Sequence, residues 1–303
     1  HRTDVGLVQL SFGVLWFVFL VQWADQKLSI KQIVAVGMLL RLVYLVAVPE
    51  LSDDVFRYLW DGKLTLQGVS PYAELPSQFL QNANHESLKA LYPRLNSPNY
   101  YSIYPPVSQL VFAGSVWVGG GDLEHSIIAL RVFSLIAELG SIFVIIQLLS
   151  HWRIPSRNVM LYALNPLVIV EFVGNLHTEV FMVFLLLLSV WLLAKQWSTI
   201  SAFVFGMAVG AKLLPLMFLP FYIKRLGWGK SIVYGLVVFI AATLFFVPFY
   251  TPLLLGNFQD SLRLYFASFE FNASFYYLIR EVGFWVKGYN IIGQTAVWLP
   301  RIV

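Results

Sequence analysis

From Ile127 to Leu149 the chain reads IIALRVFSLIAELGSIFVIIQLL, an apolar run whose only charges are Arg131 and Glu138. A helix needs about 20 such residues to cross a bilayer, so this stretch reads as a transmembrane helix. Further apolar runs lie at Val5 to Trp23, Ile30 to Val48, Pro106 to Val118, Val159 to Val173, Val180 to Ala194, Ile200 to Ile223 and Ile232 to Phe249, with a weaker one from near Ile291. The shorter runs must tilt, break or re-enter, and irregular backbone at membrane depth is tolerated where it lines a cavity. The expected fold is therefore all-α, a polytopic transmembrane helical bundle.

Composition supports the same class. Hydrophobic residues make up 58% of 303 and charged residues 12%, with a mean hydropathy of +0.72. Twenty Lys and Arg against sixteen Asp and Glu give +4, a balance suited to cytoplasmic loops and too weak for nucleic-acid binding. With no cysteine, disulfides, thiolate metal sites and Cys nucleophiles are excluded. Because the chain starts at His1 and ends beside an apolar segment, residues 1–303 are expected to be a single transmembrane domain, a fragment of a longer chain. The basic turns Lys27 to Lys31 and Lys224 to Lys230 belong on the cytoplasmic side, which puts Asp53 and Asp54 outside. The basic turn His151 to Arg157 then fits only if one short segment fails to cross.

Polar residues concentrate in the loop spanning 49–106. Ser52 is expected to cap a helix running from Asp53 to about Leu66, with both aspartates in its favourable first turn. Asp54, Arg57 and Asp61 then share one face, while Phe56, Leu59 and Trp60 meet the membrane interface or the helices. Gly68 to Tyr72 turns the chain, a second helix is expected over Ser77 to Leu91, and Pro93 to Pro106 returns extended. This is a structured external loop with juxtamembrane helices. Adjacent acids beside a low-dielectric wall suit a general base, although they equally fit a cation site or a plain helix cap.

The set Ser52-Asp53-Asp54, Phe56-Arg57-Tyr58-Leu59-Trp60-Asp61-Gly62, Gly68-Val69-Ser70-Pro71-Tyr72 and Tyr104-Pro105-Pro106 resembles the first external loop of GT-C glycosyltransferases, especially polyprenyl- or dolichyl-phosphate-mannose-dependent mannosyltransferases. Looser matches continue through Asn165-Pro166, Gly174 to Glu179, Lys212 to Pro215 and Phe271 to Ser274. The resemblance implies a GT-C-like fold and transfer of a hexose, mannose foremost, from a lipid-phosphate sugar donor to a glycan or lipid acceptor hydroxyl, with inversion. It places the protein in a bacterial inner or plasma membrane, or an ER membrane, active on the external or lumenal side among membrane lipids. The acid of the family's loop maps onto Asp54 or Asp53, Asp54 being favoured because it shares a face with Arg57 and Asp61. The adjacency of the two acids departs from a spaced metal-binding pair, so no metal site or cofactor is expected, with a divalent cation as the alternative.

A single leaving phosphate can be met by fixed cations. Lys212, inside an apolar run, costs at least about 2.5 kcal/mol unless it faces a cavity or partner, and Pro215 should break its helix nearby; snorkelling to an interface is the competing reading. Arg57 and Lys63 are further phosphate candidates, each with a solvated charge as its alternative. Asp61, Tyr72, Tyr104, His177, Glu179 and Asn272 are candidates for substrate contacts, with a satisfied turn histidine as the rival for His177. Arg131 and Glu138, on one helix face, are expected to provide structural pairing or positioning rather than catalysis, and Arg41 is a further embedded charge. A second external loop is expected from Tyr250 to about Asn290. A transporter or lipid flippase would use the same broken helices and embedded charges, but most acids here lie outside the apolar runs. A ligase or polymerase of lipid-linked oligosaccharides would share both the architecture and the leaving group.

Overall fold

The computed structural model describes residues 4–25, 27–82, 86–268 and 273–291, and among these the regular structure is helical throughout. In chain order the helices are α1 (Val5–Asp25), α2 (Ile30–Leu42), α3 (Asp54–Leu66), α4 (Pro76–Asn82), α5 (Glu86–Lys89), α6 (Pro106–Val118), α7 (Leu123–His151), α8 (Met160–Ala163), α9 (Pro166–Ile169), α10 (Glu179–Ala194), α11 (Ser198–Ala211), α12 (Leu219–Leu226), α13 (Trp228–Leu244), α14 (Leu254–Ser268) and α15 (Ala273–Lys287). Three stretches, Gly6–Asp25, Leu123–His151 and Trp228–Phe249, are long and apolar enough to cross a membrane. A fourth is broken, since Pro166–Gly174 and Glu179–Ala194 meet at 117°. Such a bend makes the pair either one broken span or a re-entrant loop.

α7 is the central helix. In its most apolar window 44% of residues are buried, against 6% for α1, so α1 presents apolar side chains outward, as a lipid-facing helix does. α6 packs against α3, α7 and α11, α10 lies between α7 and α11, and α13 covers α11.

Ile30 to Val48 is not one straight helix. α2 stops at Leu42 and the chain turns through Val43 to Val46. The freed carbonyls of Leu45 and Ala47 are taken by the Arg131 guanidinium, at 3.2 and 2.5 Å. Arg131 also donates to the carbonyls of Val173 and Gly174. It does not pair with Glu138, as its position on the same helix suggested. Glu138 accepts from Arg41 Nε at 2.6 Å and from the Tyr162 hydroxyl, and both members of the Arg41–Glu138 pair are fully buried. Two turns of helix separate Arg131 from Glu138 by about 10 Å, whereas α2 brings Arg41 alongside.

The loop is a folded cap. Asp53, not Ser52, is the N-cap of α3, and the Ser52 hydroxyl instead accepts from the Asp54 amide at 3.3 Å. Phe56, Leu59 and Trp60 are buried in one cluster with Phe79, Leu88, Leu91 and Leu95 of the loop and with Phe112 and Val116 of α6 and Leu130 of α7, so of the two expected settings they take the helices. Of the helix expected over Ser77 to Leu91, α4 and α5 are described on either side of residues 83–85, which lie outside the described set, and the helical run stops at Lys89. Gly68, at φ +74, supplies the left-handed turn that ends α3, its amide reaching the Thr65 carbonyl. Pro106 then opens α6 at a position where a missing amide costs nothing.

α3 and α6 touch backbone to backbone at Gly62, where a Cβ would lie 2.6 Å from the Phe112 carbonyl oxygen. Gly62→Ala is expected to destabilise the protein by about 1–3 kcal/mol, read as a lowered unfolding temperature of the purified protein. An unchanged temperature would contradict this contact.

Candidate active site

Three segments distant in sequence meet around a cavity of about 640 Å³. The loop contributes Asp54, Arg57, Tyr58, Asn96 and Tyr104, the bend before α10 contributes His177 and Glu179, and the end of α11 contributes Lys212. Ser261 and Leu262 of α14 complete one side. α14 is tied to the loop by Asn257, which donates to the carbonyls of Tyr72 and Ala73 at 2.8 and 3.1 Å, and by the Ser261 hydroxyl, which donates to the Tyr101 carbonyl. α14, within the stretch expected to form a second external loop, therefore serves as a wall of the site.

Asp54 is half-buried in the first turn of α3, where the helix dipole favours its charge. Its Oδ1 accepts from Asn96 Nδ2 at 2.5 Å, leaving Oδ2 for other contacts. Asp53 does not line the cavity. Arg57 lines it, but its Nε donates to Asp61 at 2.9 Å and its Nη1 to the carbonyls of Ser97 and Tyr100, both at 2.9 Å. Asp61 is fully buried, its Oδ2 accepting from the Ser102 hydroxyl at 2.5 Å and from Gln109 Nε2 at 3.1 Å. This pair pins the return strand of the loop against α3 and α6. Asp61 is thus placed behind the cavity wall.

Tyr72 is also behind the wall, its hydroxyl donating to the Tyr104 carbonyl at 2.7 Å. Tyr58 and Tyr104 stand edge to face, with ring centres 5.0 Å apart, and Tyr58 stacks on Phe112 at 4.5 Å. Burial raises both phenols well above their usual range, and the Asp54 charge adds to this. They stay neutral at physiological pH. Lys63 is away from the cavity, donating to the Gly121 carbonyl at 2.7 Å, and burial lowers its ammonium below the usual lysine range. Asn272 lies outside the described residues.

Lys212 marks the break in its helix. α11 ends at Ala211, Lys212 itself is extended (φ −157, ψ 141), and a 3₁₀ turn runs from Leu214 to Phe218. The break falls at Lys212 itself, ahead of Pro215. Its ammonium, part-buried, donates to Glu179, so cavity and partner together offset the cost of the charge.

The opposite wall is built by an unusual backbone. Val170–Gly174 is a π-helical turn, and Leu176, buried, takes φ +59. A left-handed leucine costs on the order of 1–3 kcal/mol and persists where surrounding contacts fix it. The result is that His177 Nδ1 meets Glu171 Oε2 at 2.8 Å while its Nε2 faces Asp54 Oδ2 at 4.0 Å. Glu171 and Asn96 are the residues the sequence reading passed over. Glu171 carried a signal, being a carboxylate inside the apolar run Val159 to Val173, the same argument that singled out Lys212. Asn96 carried none. Among the described residues, no group of three or more His, Cys, Asp or Glu is placed to hold a metal ion.

An all-helical domain with membrane-length apolar helices, under whose polar cap a carboxylate and a lysine face one cavity, is the class of protein this fold and site define. Residues 3–226 match the family described as alpha-(1->6)-mannopyranosyltransferase, N-terminal domain, and the chain belongs to that family. It is 28% identical over 132 residues to alpha-(1->6)-mannopyranosyltransferase B of Corynebacterium glutamicum, covering 43% of this chain and 21% of that protein. To alpha-(1->6)-mannopyranosyltransferase A of the same organism it is 24% identical over 182 residues, covering 58% and 35%. To alpha-(1->6)-mannopyranosyltransferase A of Mycobacterium tuberculosis it is 25% identical over 180 residues, covering 59% and 34%. The matched stretch thus spans about a third or less of each relative. No solved structure matches the chain significantly.

Proposed function

We propose that this chain carries the catalytic core of a multi-pass membrane mannosyltransferase. It moves mannose from a polyprenyl-phosphate donor to an acceptor hydroxyl of a glycan or lipid, on the external face of the membrane and with inversion. The observation that carries the reading is that Asp54 of the loop and Lys212 of a broken apolar helix face the same cavity. The family membership and the relatives' names support mannose as the sugar.

The acceptor oxygen attacks the anomeric carbon as its proton passes to Asp54. The bond from that carbon to the phosphate oxygen breaks, and the electron pair leaves with the lipid phosphate. Lys212 meets the charge that grows there, exchanging part of its contact with Glu179 for the phosphate. Tyr58 and Tyr104, kept neutral, donate hydrogen bonds to sugar or phosphate oxygens, and Arg57 chiefly holds the wall in shape. A monophosphate leaving group needs only one fixed cation of this kind, so the reaction is proposed to run without a cofactor.

Loss of one preorganised donor to a developing oxyanion costs about 10²- to 10³-fold in rate. Lys212→Met is therefore expected to lower transfer about 10²-fold in membranes supplied with labelled polyprenyl-phosphate mannose, with Lys212→Arg recovering part of the loss. Parent-level turnover in Lys212→Met would overturn the assignment of the phosphate site.

A further inference from the structure

We propose that His177 is a positioning and proton-relay residue for Asp54, its imidazole drawing off the proton that the carboxylate takes from the acceptor. The inference rests on the reading of Asp54 as base and assigns a role to the Glu171–His177 pair that the transfer step alone does not use.

A base in a cavity walled by apolar helices must lose its proton before the next turnover. Asn96 occupies Asp54 Oδ1, so the other oxygen is the one available to a hydroxyl, and that oxygen faces His177 Nε2 at 4.0 Å. Separations of this size before substrate binds are commonly closed by a side-chain rotation or one water. Glu171 fixes the imidazole from behind. With its Oε2 at 2.8 Å from Nδ1, that nitrogen carries the hydrogen and donates, and Nε2 presents its lone pair to Asp54. Asn175 donates to the same Glu171 oxygen at 3.2 Å and holds it in place. The π-helical turn and the left-handed Leu176 produce this aim, the His177 amide closing back on the Glu171 carbonyl at 3.0 Å.

In the relay the O–H bond of protonated Asp54 breaks and an N–H bond forms at Nε2. The resulting imidazolium is stabilised by the Glu171 carboxylate. His177 is 29% exposed, so the proton can then leave to water, restoring the neutral ring and the Asp54 carboxylate. Burial favours the neutral ring, but Glu171 on its own segment, Glu179 at the start of α10, itself paired with Lys212 from the end of α11, and Asp54 from α3 outweigh it and raise the imidazole above the usual histidine range. The relay needs a neutral imidazole, so kcat falls as pH drops through the His177 titration. Without His177 the acid limb reverts to carboxylate control at lower pH.

The test compares the full-length parent, His177→Asn and Glu171→Gln in membranes with labelled polyprenyl-phosphate mannose, across pH and with added imidazole. The expected result for His177→Asn is a kcat about 10²-fold lower, at the low end for a positioned acid–base group. Donor KM stays near the parent value, the acid limb moves to lower pH, and imidazole restores turnover. Glu171→Gln is expected to lose less and to keep its histidine-controlled limb. Parent-like kcat and pH profile in His177→Asn would overturn the relay, as would a loss confined to KM or one that imidazole does not restore. Asp54→Asn separates the two claims: if it turns over normally the base reading fails, and if it is inactive while His177→Asn is unimpaired only the relay fails.

Discussion

Asp54→Asn is expected to lower mannosyl transfer about 10³-fold, within the 10²- to 10⁴-fold range of a positioned general base, with donor KM little changed. The substitution keeps shape and can keep a hydrogen bond to Asn96, but removes the lone-pair charge that accepts the acceptor's proton. Asp53→Asn is the internal comparison. Asp53 stands at the N-cap position of α3 and does not line the cavity, so its variant should stay within a few-fold of the parent. Initial rates in membranes carrying equal amounts of each protein measure both. Equal losses in the two variants would mean that the acids act together, contrary to the geometry.

The second large effect is on stability. Arg41 and Glu138 are fully buried against one another, and Arg41 also donates to the Ala163 and Gly37 carbonyls at 2.6 and 3.0 Å. Removing one partner strands the other charge, a loss of about 3–5 kcal/mol for buried pairs. Arg41→Met and Glu138→Leu are each expected to lower the unfolding temperature of the detergent-purified protein sharply. The double variant should recover much of the loss, because two apolar side chains leave no orphan charge, and contacting residues are not additive. Equal losses in the double variant and the sum of the singles would show that the pair is not coupled.

What could be read from the chain follows from what periodicity reports. Spacing places residues on one helix, so the neighbouring positions of Arg57 and Asp61 were legible, and their i, i+4 contact bears that part out, while Asp54 lines the cavity and Asp61 lies behind its wall. Spacing cannot say which other helix arrives. Glu138 therefore looked like the partner of Arg131, whereas its partner Arg41 comes from α2 and Arg131 collects backbone carbonyls. The lone lysine in an apolar run announced a cavity, and the cavity is there. Lys63 looked equivalent to Arg57, but its carbonyl partner at Gly121 comes from the turn before α7. The relay geometry was the least legible, since it depends on a π-helical turn and a left-handed leucine that no local preference favours.

The central claim is that the cavity holds a lipid-phosphate mannose whose sugar is transferred on the external face. The most direct measurement is transfer by the full-length enzyme, reconstituted in vesicles of defined orientation, from labelled polyprenyl-phosphate mannose or from a labelled nucleotide mannose added to one side. The account predicts labelled product from the lipid donor alone, formed on the side of Asp54 and insensitive to excess chelator. Product from the nucleotide sugar, or transfer confined to the face of the Lys224 to Lys230 turn, would contradict it.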